Sequence, residues 1–383
     1  VPNLRFPEFQ GEWEKCKLGD YGKVVTGNTP PTKDIENYEN GTYLWASPAD
    51  LGTIKLISET KTMLSAKGFS KTRALPKGSV LVTCIGSTIG KTGMATKEMS
   101  TNQQINSIVV NENSDNEFVY YSIQSAFPRY LSSIAVQAVP IISKSAFELL
   151  PNQRPCLQEQ KKIGKMLSLL DERIATQNKI IEDLKKLKSA IIEIEYTPNT
   201  KTTSHIGNVI EQISKRNKNN AIQNVLSVSN RQGFIKQSDQ FENRNVASED
   251  TSNYKIVEKN DFAFNPARIN VGSIARLTTF EKGIVSPMYI CFRTQENVAP
   301  EYIDFFFESK HFYCEIQKRL EGSVRQCLSF EGLCNIPFSL PSLEMQQRIG
   351  KRLFILGQKI KTETDLLELL NKQKQYLLRQ MFI

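Results

Sequence analysis

Residues 155–167 read PCLQEQKKIGKML, and residues 341–353 read PSLEMQQRIGKRL. The two segments share a proline, a leucine, a glutamine and the run Ile-Gly-Lys at matching positions, 186 residues apart in a chain of 383. Each is followed by a long run with apolar residues at helical spacing. Self-similarity at an offset of about half the chain indicates one structural plan used twice. The sequence therefore predicts two modules, each followed by a long helix.

The two helices carry their apolar residues at intervals of three and four, maintained over more than four heptads, which predicts a coiled coil. The repeat implies an internal twofold symmetry, and this symmetry predicts that the two helices pack antiparallel to each other. The alternative is that each helix packs on its own module, as an ordinary amphipathic helix does. A first helix over residues 159–195 would be about 55 Å long. The predicted seam consists of Ile163, Leu167, Leu170, Ile174, Ile181, Leu184 and Ile191 in the first helix and of Ile349, Leu353, Leu356, Ile360, Leu367, Leu370 and Leu377 in the second.

The modules differ from the helices in that they contain short β-type runs between turn residues. Aromatic-rich stretches at 118–121 and 302–307 are expected to lie in the core rather than to stack on bases. We predict an α+β fold, in which two α/β-type modules with mixed sheets are separated by two long antiparallel coiled-coil helices with internal pseudo-twofold symmetry. The predicted segments are residues 1–153, 154–197, 198–338 and 339–383. The predicted strands include residues 24–25, 43–45, 79–85, 107–110, 225–228, 261–264 and 288–292.

The composition favours a cytosolic protein with an anionic partner. The chain has 49 Lys and Arg residues against 40 Asp and Glu residues, a net charge of +9, and 39% of its residues are hydrophobic. Clustered positive charge attracts nucleic acid, and no apolar run approaches the roughly 20 residues that a membrane-spanning helix needs. The seven cysteines show no Cys-x-x-Cys spacing and there are only two histidines. We therefore predict no metal site.

Motifs for catalysis are weak or absent in the sequence. No two glycines are separated by a single residue, which argues against dinucleotide and most S-adenosylmethionine sites. Residues 86–92 (GSTIGKT) resemble a phosphate-binding loop but are one residue too short, and a polar turn beside a strand is the simpler interpretation. Asp50, Glu59 and Lys61 could form a magnesium nuclease site, but the second module has no equivalent. We predict no catalytic residue in this chain.

With no catalytic motif in the sequence, the remaining candidate functional residues are polar and basic residues suited to binding. Residues 215–220 (KRNKNN) form a polar, basic segment suited to phosphates and base edges. Its counterpart in the first module is the turn at residues 26–31, and a second basic stretch precedes the second helix. Each cluster alone could be an ordinary solvated surface, but the clusters lie at matching points of the repeat. The candidate DNA-binding residues are Asn28, Thr29, Lys33, Trp45, Lys91, Arg129 and Gln137 in the first module and Lys215, Arg216, Lys218, Arg231, Arg268, Arg319, Arg325 and Gln326 in the second.

The whole chain resembles the specificity (S) subunit of a type I restriction–modification enzyme. The resemblance rests on the duplicated Pro-x-Leu-x-x-Gln-x-x-Ile-Gly-Lys segment, on the beginning of the chain (LRFPEF at residues 4–9) and on Gly27-Asn28-Thr29-Pro30 followed by YLW at residues 43–45. Two departures exist. Met345 stands where the first copy has Glu159, and the second module lacks the Gly-x-Thr-Pro and Trp motif.

The resemblance implies that the modules are target-recognition domains for the two halves of a bipartite double-stranded DNA target. It further implies that the helices set the spacing, about 16 base pairs for 55 Å, and bind two modification (methyltransferase) subunits. Restriction (motor-nuclease) subunits would complete the complex. S-adenosylmethionine, ATP and Mg²⁺ are expected on those partners, with no cofactor in this chain. The alternatives are a DNA-acting enzyme that works alone, as a nuclease or methyltransferase, and a scaffold that binds only proteins.

Overall fold

The chain divides into two units, and each takes a part of both long helices. A computed structural model describes residues 2–52, 54–133, 141–197, 204–230, 232–240, 250–322 and 326–382. The first unit comprises Val1–Asn178 and Leu366–Ile383, and the second comprises Lys179–Asp365. The sequence prediction treats the helices as segments of their own, 154–197 and 339–383, whereas the contacts assign a part of each helix to each unit.

The first unit contains three sheets and the start of the first long helix. Its sheet orders are β2-β9-β6-β7-β4, β5-β3-β8 and β1-β10, and the β4–β7 and β3–β8 pairs are parallel. Short 3-10 turns occupy Leu18–Tyr21, Ile35–Asn37 and Pro48–Asp50. The elements are β1 (Glu14–Lys17), β2 (Gly22–Thr26), β3 (Tyr43–Ala46), β4 (Leu56–Ile57), β5 (Thr62–Leu64), α1 (Ala66–Ser70), β6 (Val80–Thr83), β7 (Thr92–Ala95), β8 (Ser100–Thr101), β9 (Ile105–Val110), α2 (Asn116–Ser133), α3 (Lys144–Glu148), β10 (Pro151–Arg154) and α4 (Leu157–Tyr196).

The second unit repeats part of this topology with different strands. Its sheet orders are β12-β19-β16-β17, β14-β13-β18-β15 and β11-β20, and the β13–β18 pair is parallel. Short 3-10 turns occupy Ile206–Asn208 and Ile269–Val271. The elements are β11 (Ser204–His205), β12 (Ile210–Ile213), β13 (Val225–Ser229), β14 (Gly233–Lys236), α5 (Gln237–Gln240), β15 (Lys255–Glu258), β16 (Phe262–Phe264), β17 (Ile274–Arg276), β18 (Lys282–Val285), β19 (Ile290–Thr294), α6 (Pro300–Phe306), α7 (Lys310–Gln317), α8 (Phe330–Cys334), β20 (Pro337–Phe338) and α9 (Leu343–Met381).

The predicted mixed fold with two long helices is confirmed. The helix predicted at 159–195 spans Leu157–Tyr196, and each predicted strand segment overlaps an observed strand. The aromatic stretches belong to α2 and α6 and lie in the cores, because Phe118, Tyr121, Tyr302 and Phe306 are buried. Sequence alone could not predict the pairing of strands, because partners such as β3 and β8 lie far apart along the chain.

Contacts in the first unit show that its parts of the two long helices run in opposite directions. In the first unit, an N-terminal segment contacts Glu159 of α4 and Gln380 of α9, whereas Asp171 forms an ion pair with Lys374 at 2.7 Å. Residue numbers thus rise along α4 as they fall along α9. All fourteen side chains of the predicted seam are buried or half buried.

The repeated sequence segment joins each helix to its module through the same contacts. Gln160 Nε2 donates to the Pro155 carbonyl at 2.9 Å, and its Oε1 accepts from the Asp115 backbone N–H at 3.1 Å. In the second unit, Gln346 Nε2 donates to the Pro341 carbonyl at 2.9 Å, and its Oε1 accepts from the Ala299 N–H at 2.9 Å. Both glutamines are buried, so their amides satisfy buried backbone groups that would otherwise lack partners.

Aromatic and lysine contacts also repeat. Phe382, at the end of α9, packs on Phe118 with ring centroids 5.4 Å apart. Tyr196, at the end of α4, packs on Tyr302 at 4.8 Å. Lys374 Nζ lies 5.6 Å from the Tyr121 ring and Lys188 Nζ lies 5.1 Å from the Phe305 ring. Lys188 and Lys374, which stand at matching positions of the two helices, therefore make cation–π contacts with the modules.

Candidate nucleic-acid interface

Asn28 is the centre of the first candidate cluster in the first unit. Its backbone N–H donates to the Thr101 carbonyl at 2.9 Å, and its carbonyl accepts from Trp45 Nε1 at 3.1 Å. Its side chain accepts from the Arg73 N–H at 3.0 Å and donates to the Lys71 carbonyl at 2.9 Å. The side-chain amide of Asn28, a candidate DNA-binding residue, is thus engaged with the backbone of residues 71–73. Asn28 therefore connects its own turn to Thr101 and to residues 71–73, and its side-chain amide is already hydrogen-bonded within the unit.

The neighbours of Asn28 also differ from the sequence prediction. Trp45 is 8% exposed and belongs to the module interior, so its indole is not available to stack on a base. The Thr29 hydroxyl bonds to the Gln103 side chain. Lys33 is exposed and forms no ion pair with any part of the chain that the structure describes. Of these candidates, only Lys33 presents a charged group to solvent.

A second cluster of the first unit surrounds the loop between β6 and β7. The Cys84 carbonyl at its start accepts from the Ile142 N–H at 2.8 Å. Gly90 in the same loop lies close against Phe127 of α2, with no room for a side chain. Half-buried Lys91 follows Gly90, and exposed Arg129 follows Phe127 by two residues. The structure therefore brings the segments that carry Lys91 and Arg129 together, whereas Gln137 lies outside the described residues.

The first cluster of the second unit follows β12. The Lys215 carbonyl accepts from the Ile256 N–H at 2.8 Å, and Arg216 Nη1 donates to Asn253 Oδ1 at 2.9 Å. Buried Asn217 bonds to both backbone groups of Ile222, which fixes the turn. Lys215, Arg216 and Lys218 are exposed on this framework. The cluster stands in the same place as the Asn28 cluster, which follows β2.

The second cluster of the second unit joins the loop after β16 to the segment before α8. The Pro266 carbonyl accepts from the Leu328 N–H at 3.0 Å, which matches the Cys84–Ile142 contact of the first unit. Exposed Arg268 and exposed Gln326 lie two residues away from this contact on their two segments. The candidates Arg231 and Arg325 lie outside the described residues.

Arg319 has an internal role, which differs from the prediction of a DNA contact. Its guanidinium forms an ion pair with the buried carboxylate of Glu315, and Nη2 donates to the Asn335 carbonyl at 3.0 Å. A guanidinium that neutralises a buried carboxylate is costly to withdraw. Arg319 therefore stabilises the end of α7.

Of the three residues considered for a magnesium site, Asp50 has structural partners, and all three line one cavity. Asp50 accepts from the Ser47 N–H at 2.8 Å, the Ser47 hydroxyl at 2.7 Å and the Lys61 N–H at 2.9 Å. Residues 86–91 lie in the connection between the antiparallel strands β6 and β7, and Thr92 begins β7. A phosphate-binding loop requires a strand-to-helix turn instead. Across the described ranges, His, Cys, Asp and Glu side chains nowhere gather in threes suited to a metal ion.

The clearest carboxyl pKa shift lies in a contact between a module and a helix, not in the exposed clusters. Burial raises the pKa of Asp304 to about 6, although Arg276 Nε donates to this carboxylate at 3.1 Å. Lys188 of α4 and Glu308 also act on Asp304, and these two form an ion pair at 2.6 Å. Asp304 and its charged neighbours therefore belong to the packing of the module against α4. Structural ion-pair networks of this kind also shift pKa values, without a catalytic role.

Sequence reasoning missed Arg73 and Asn253. Arg73 is exposed and its backbone is bound by Asn28, and Asn253 contacts the guanidinium of Arg216. The run Lys71-Thr72-Arg73 was a usable signal for the first. Asn253 lies 37 residues from Arg216 and had no local signal.

No helix in the ranges described is both apolar enough and long enough to cross a bilayer.

The comparisons with known proteins agree with this duplicated arrangement. The family model described as "Type I restriction modification DNA specificity domain" matches the chain twice, at residues 10–186 and 191–372. The MjaVIII specificity subunit of Methanocaldococcus jannaschii is 25% identical over 410 residues, covering 98% of this chain and 90% of that protein. The MjaIX specificity subunit of the same organism is 30% identical over 182 residues, covering 46% of this chain and 42% of that protein.

Solved structures support the same fold. The S subunit of a type I restriction–modification system from M. genitalium superposes with a TM-score of 0.65 and 17% identity, covering 100% of this chain and 99% of that one. A chain from a structural study of complex assembly in the type I system gives a TM-score of 0.54 with 16% identity and 96% coverage of both chains. The double family match, which accounts for most of the chain, confirms the resemblance seen in the sequence: this chain belongs to the type I restriction–modification DNA specificity family.

Proposed function

We propose that each unit reads one half of a bipartite double-stranded DNA target and that the chain supplies recognition without chemistry. The observation that carries this is the double match of one DNA-specificity domain to two units that share their helix contacts but differ in their exposed clusters. Because readout depends on particular side chains at base edges, Lys215, Arg216 and Lys218 should select different bases from those selected by the first unit.

The two helices have a proposed role of their own. They would set the spacing between half-sites and bind two modification (methyltransferase) subunits, with restriction (motor-nuclease) subunits completing the complex. S-adenosylmethionine, ATP and Mg²⁺ would bind to those partners. Such a complex would act on DNA in the cytoplasm. Exposed apolar side chains on both helices, including Leu187 and Ile355, support a protein-binding role for the helices.

Methylation mapping tests the proposal. Cells that carry this gene together with its partner subunits should methylate a sequence with two specified parts separated by unspecified bases. A single continuous motif, or no motif, would argue against two readers. The purified chain, incubated alone with DNA, Mg²⁺ and S-adenosylmethionine, should neither cut nor methylate; activity without a partner would instead identify an enzyme that works alone.

Helix length tests the spacing role. One heptad is inserted after residue 178 in α4 and one after residue 365 in α9, so that the antiparallel seam keeps its phase. Seven residues add about 10 Å, or roughly three base pairs. The unspecified gap should lengthen by about that amount while both half-sites stay the same, which provides an internal control. An unchanged gap in a correctly assembled complex would contradict the role.

A further inference from the structure

The guanidinium of Arg73 is hydrogen-bonded through one nitrogen, Nη1, and its other two nitrogens have no partner in the described chain. Its backbone N–H donates to Asn28 Oδ1 at 3.0 Å, and its Nη1 donates to the Thr26 carbonyl at 2.7 Å. The residue is exposed. Within the described part of the chain, Nε and Nη2 form no hydrogen bond or ion pair. The edge of the guanidinium that can form two parallel bonds is therefore without a partner in the described chain, on a residue that is exposed.

Another arginine of the same unit shows what this geometry binds. Arg5 Nη1 also donates to a backbone carbonyl, that of Gly11. Its Nε and Nη2 each donate to a carboxylate oxygen of Glu159, both at 2.8 Å. Arg73 repeats the first contact and lacks a carboxylate at the second. A guanidinium edge of this kind suits a pair of acceptor atoms, such as two phosphate oxygens or O6 and N7 of guanine.

Two lysines that precede Arg73 in the chain have acidic partners, whereas Arg73 has none in the described ranges. Lys67 forms ion pairs with Glu36 and Asp34, and Lys71 pairs with Asp34 at 2.9 Å. These two lysines are therefore largely neutralised by acids of the same unit. Arg73 forms no ion pair with an acidic residue in the described ranges, so its charge remains available to an anion. Fixing the side chain beforehand also reduces the conformational entropy that is lost on binding.

We propose that Arg73 is a bidentate DNA contact of the first unit and that Asn28 is a positioning residue that acts through it. Asn28 does not touch DNA in this arrangement. It fixes the backbone of residues 71–73, and Trp45 supports it by donating to its carbonyl. The inference rests on the proposed function, because it assumes that the first unit reads one half-site.

The test uses the assembled complex with its modification subunits and a DNA duplex carrying the motif mapped for the wild-type chain. Arg73→Ala should weaken binding by roughly five- to 150-fold, the range for a good bidentate pair. Lys67→Ala is the matched control: it removes one positive charge from the same surface region, yet that charge is already paired. It should change the affinity less than about threefold. If Arg73→Ala binds as the wild type does, the proposal is wrong.

Methylation mapping of the same variants locates the effect. A bidentate guanine contact predicts relaxed specificity at one position of one half-site. A phosphate contact predicts uniform weakening and a smaller dependence of binding on salt concentration. Either result supports the proposal, whereas relaxation in the half-site assigned to the second unit contradicts it. A wild-type complex without a two-part motif would instead refute the proposed function.

A double-mutant cycle tests the positioning role. Asn28→Ala should reproduce much of the loss seen for Arg73→Ala, and the double variant should bind no more weakly than Arg73→Ala alone. Additive losses would mean that Asn28 acts independently of Arg73. Because Asn28→Ala could disturb the module, its unfolding is measured in parallel. Arg73→Ala removes an exposed side chain and its one hydrogen bond to the Thr26 carbonyl, and it keeps the central claim testable even if the Asn28 variant misfolds.

Discussion

Arg5 and Glu159 form a buried ion pair where the two copies of the repeat diverge. Their side chains are 13% and 1% exposed, and the contact is bidentate. In the second copy Met345 replaces Glu159 and packs against the core of its unit. The departure from the repeat therefore has a physical reason: a carboxylate is tolerated at this position only where an arginine is present to neutralise it.

Replacing Arg5 with Ala should destabilise the first unit by about 3 kcal/mol, because Glu159 would be left buried and unpaired. Both tryptophans of the chain, Trp13 and Trp45, are buried in this unit, so tryptophan fluorescence during urea unfolding reports on it. The double variant Arg5→Met with Glu159→Met imitates the second copy and should recover most of the loss. A double variant as unstable as Arg5→Ala would show that the pair is not the cause.

At the residue scale, the sequence could not predict which candidate side chains are exposed and which are buried or hydrogen-bonded inside a unit. Asn28 and Trp45 were candidates for DNA binding by residue type and position. Their orientation depends on Thr101, Lys71 and Arg73, which lie up to 73 residues away. Polar and aromatic residues at turns serve binding and internal hydrogen bonding equally well, and only the fold distinguishes the two. Arg319 differs, because its partner Glu315 is one helical turn away and the i,i+4 spacing was a local signal for the ion pair.

At the scale of elements, the repeated Ile-Gly-Lys determines how closely each helix approaches its module. A Cβ at Gly164 would lie 2.5 Å from Asp115 Oδ1 and 2.9 Å from the Phe118 backbone nitrogen. At Gly350 the nearest atom would be Glu301 Cβ at 2.9 Å, and the next atoms would lie at 3.7 Å. At Gly357, in the same helix as Gly350, nothing lies within 4 Å.

The three glycines should therefore respond differently to alanine. Gly164→Ala should destabilise the first unit by about 2 kcal/mol, since Asp115 caps α2 through the Phe118 N–H and cannot easily move. Gly350→Ala should cost less. Gly357→Ala should stabilise by about 0.5–1 kcal/mol, because only helix propensity changes. Fluorescence follows the first variant, and circular dichroism at 222 nm follows all three. Equal effects at Gly164 and Gly357 would refute the close-contact explanation.

The helices were the most predictable elements, because their information is local. Apolar spacing located the seam, and prolines at positions 155 and 198 stand just outside the observed ends of the first helix, Leu157 and Tyr196. The sheets were predictable only as a set of strands. Their order depends on long-range pairs such as β2 with β9 and β12 with β19, for which a single sequence offers no local signal.

At the scale of the whole molecule, duplication makes the modules exchangeable in principle. Each module contacts a glutamine and a glycine of one long helix and an aromatic residue at the end of the other, and the same three contacts occur in both units. A module placed in the other position would therefore find the same types of contact residue on the two helices. Gln346 and Gly350 of α9 would receive the Asp115–Phe118 segment, and Tyr196 would pack on Phe118.

Replacing residues 204–340 with residues 16–154 should thus give a chain that folds with two copies of the first module. If recognition resides in the modules and spacing in the helices, this chain, with its partner subunits, should methylate a target made of two copies of the first half-site across an unchanged gap. Methylation mapping reads both features at once. Retention of the original second half-site would show that bases are selected outside the exchanged residues, and a changed gap would show that the modules themselves contribute to spacing.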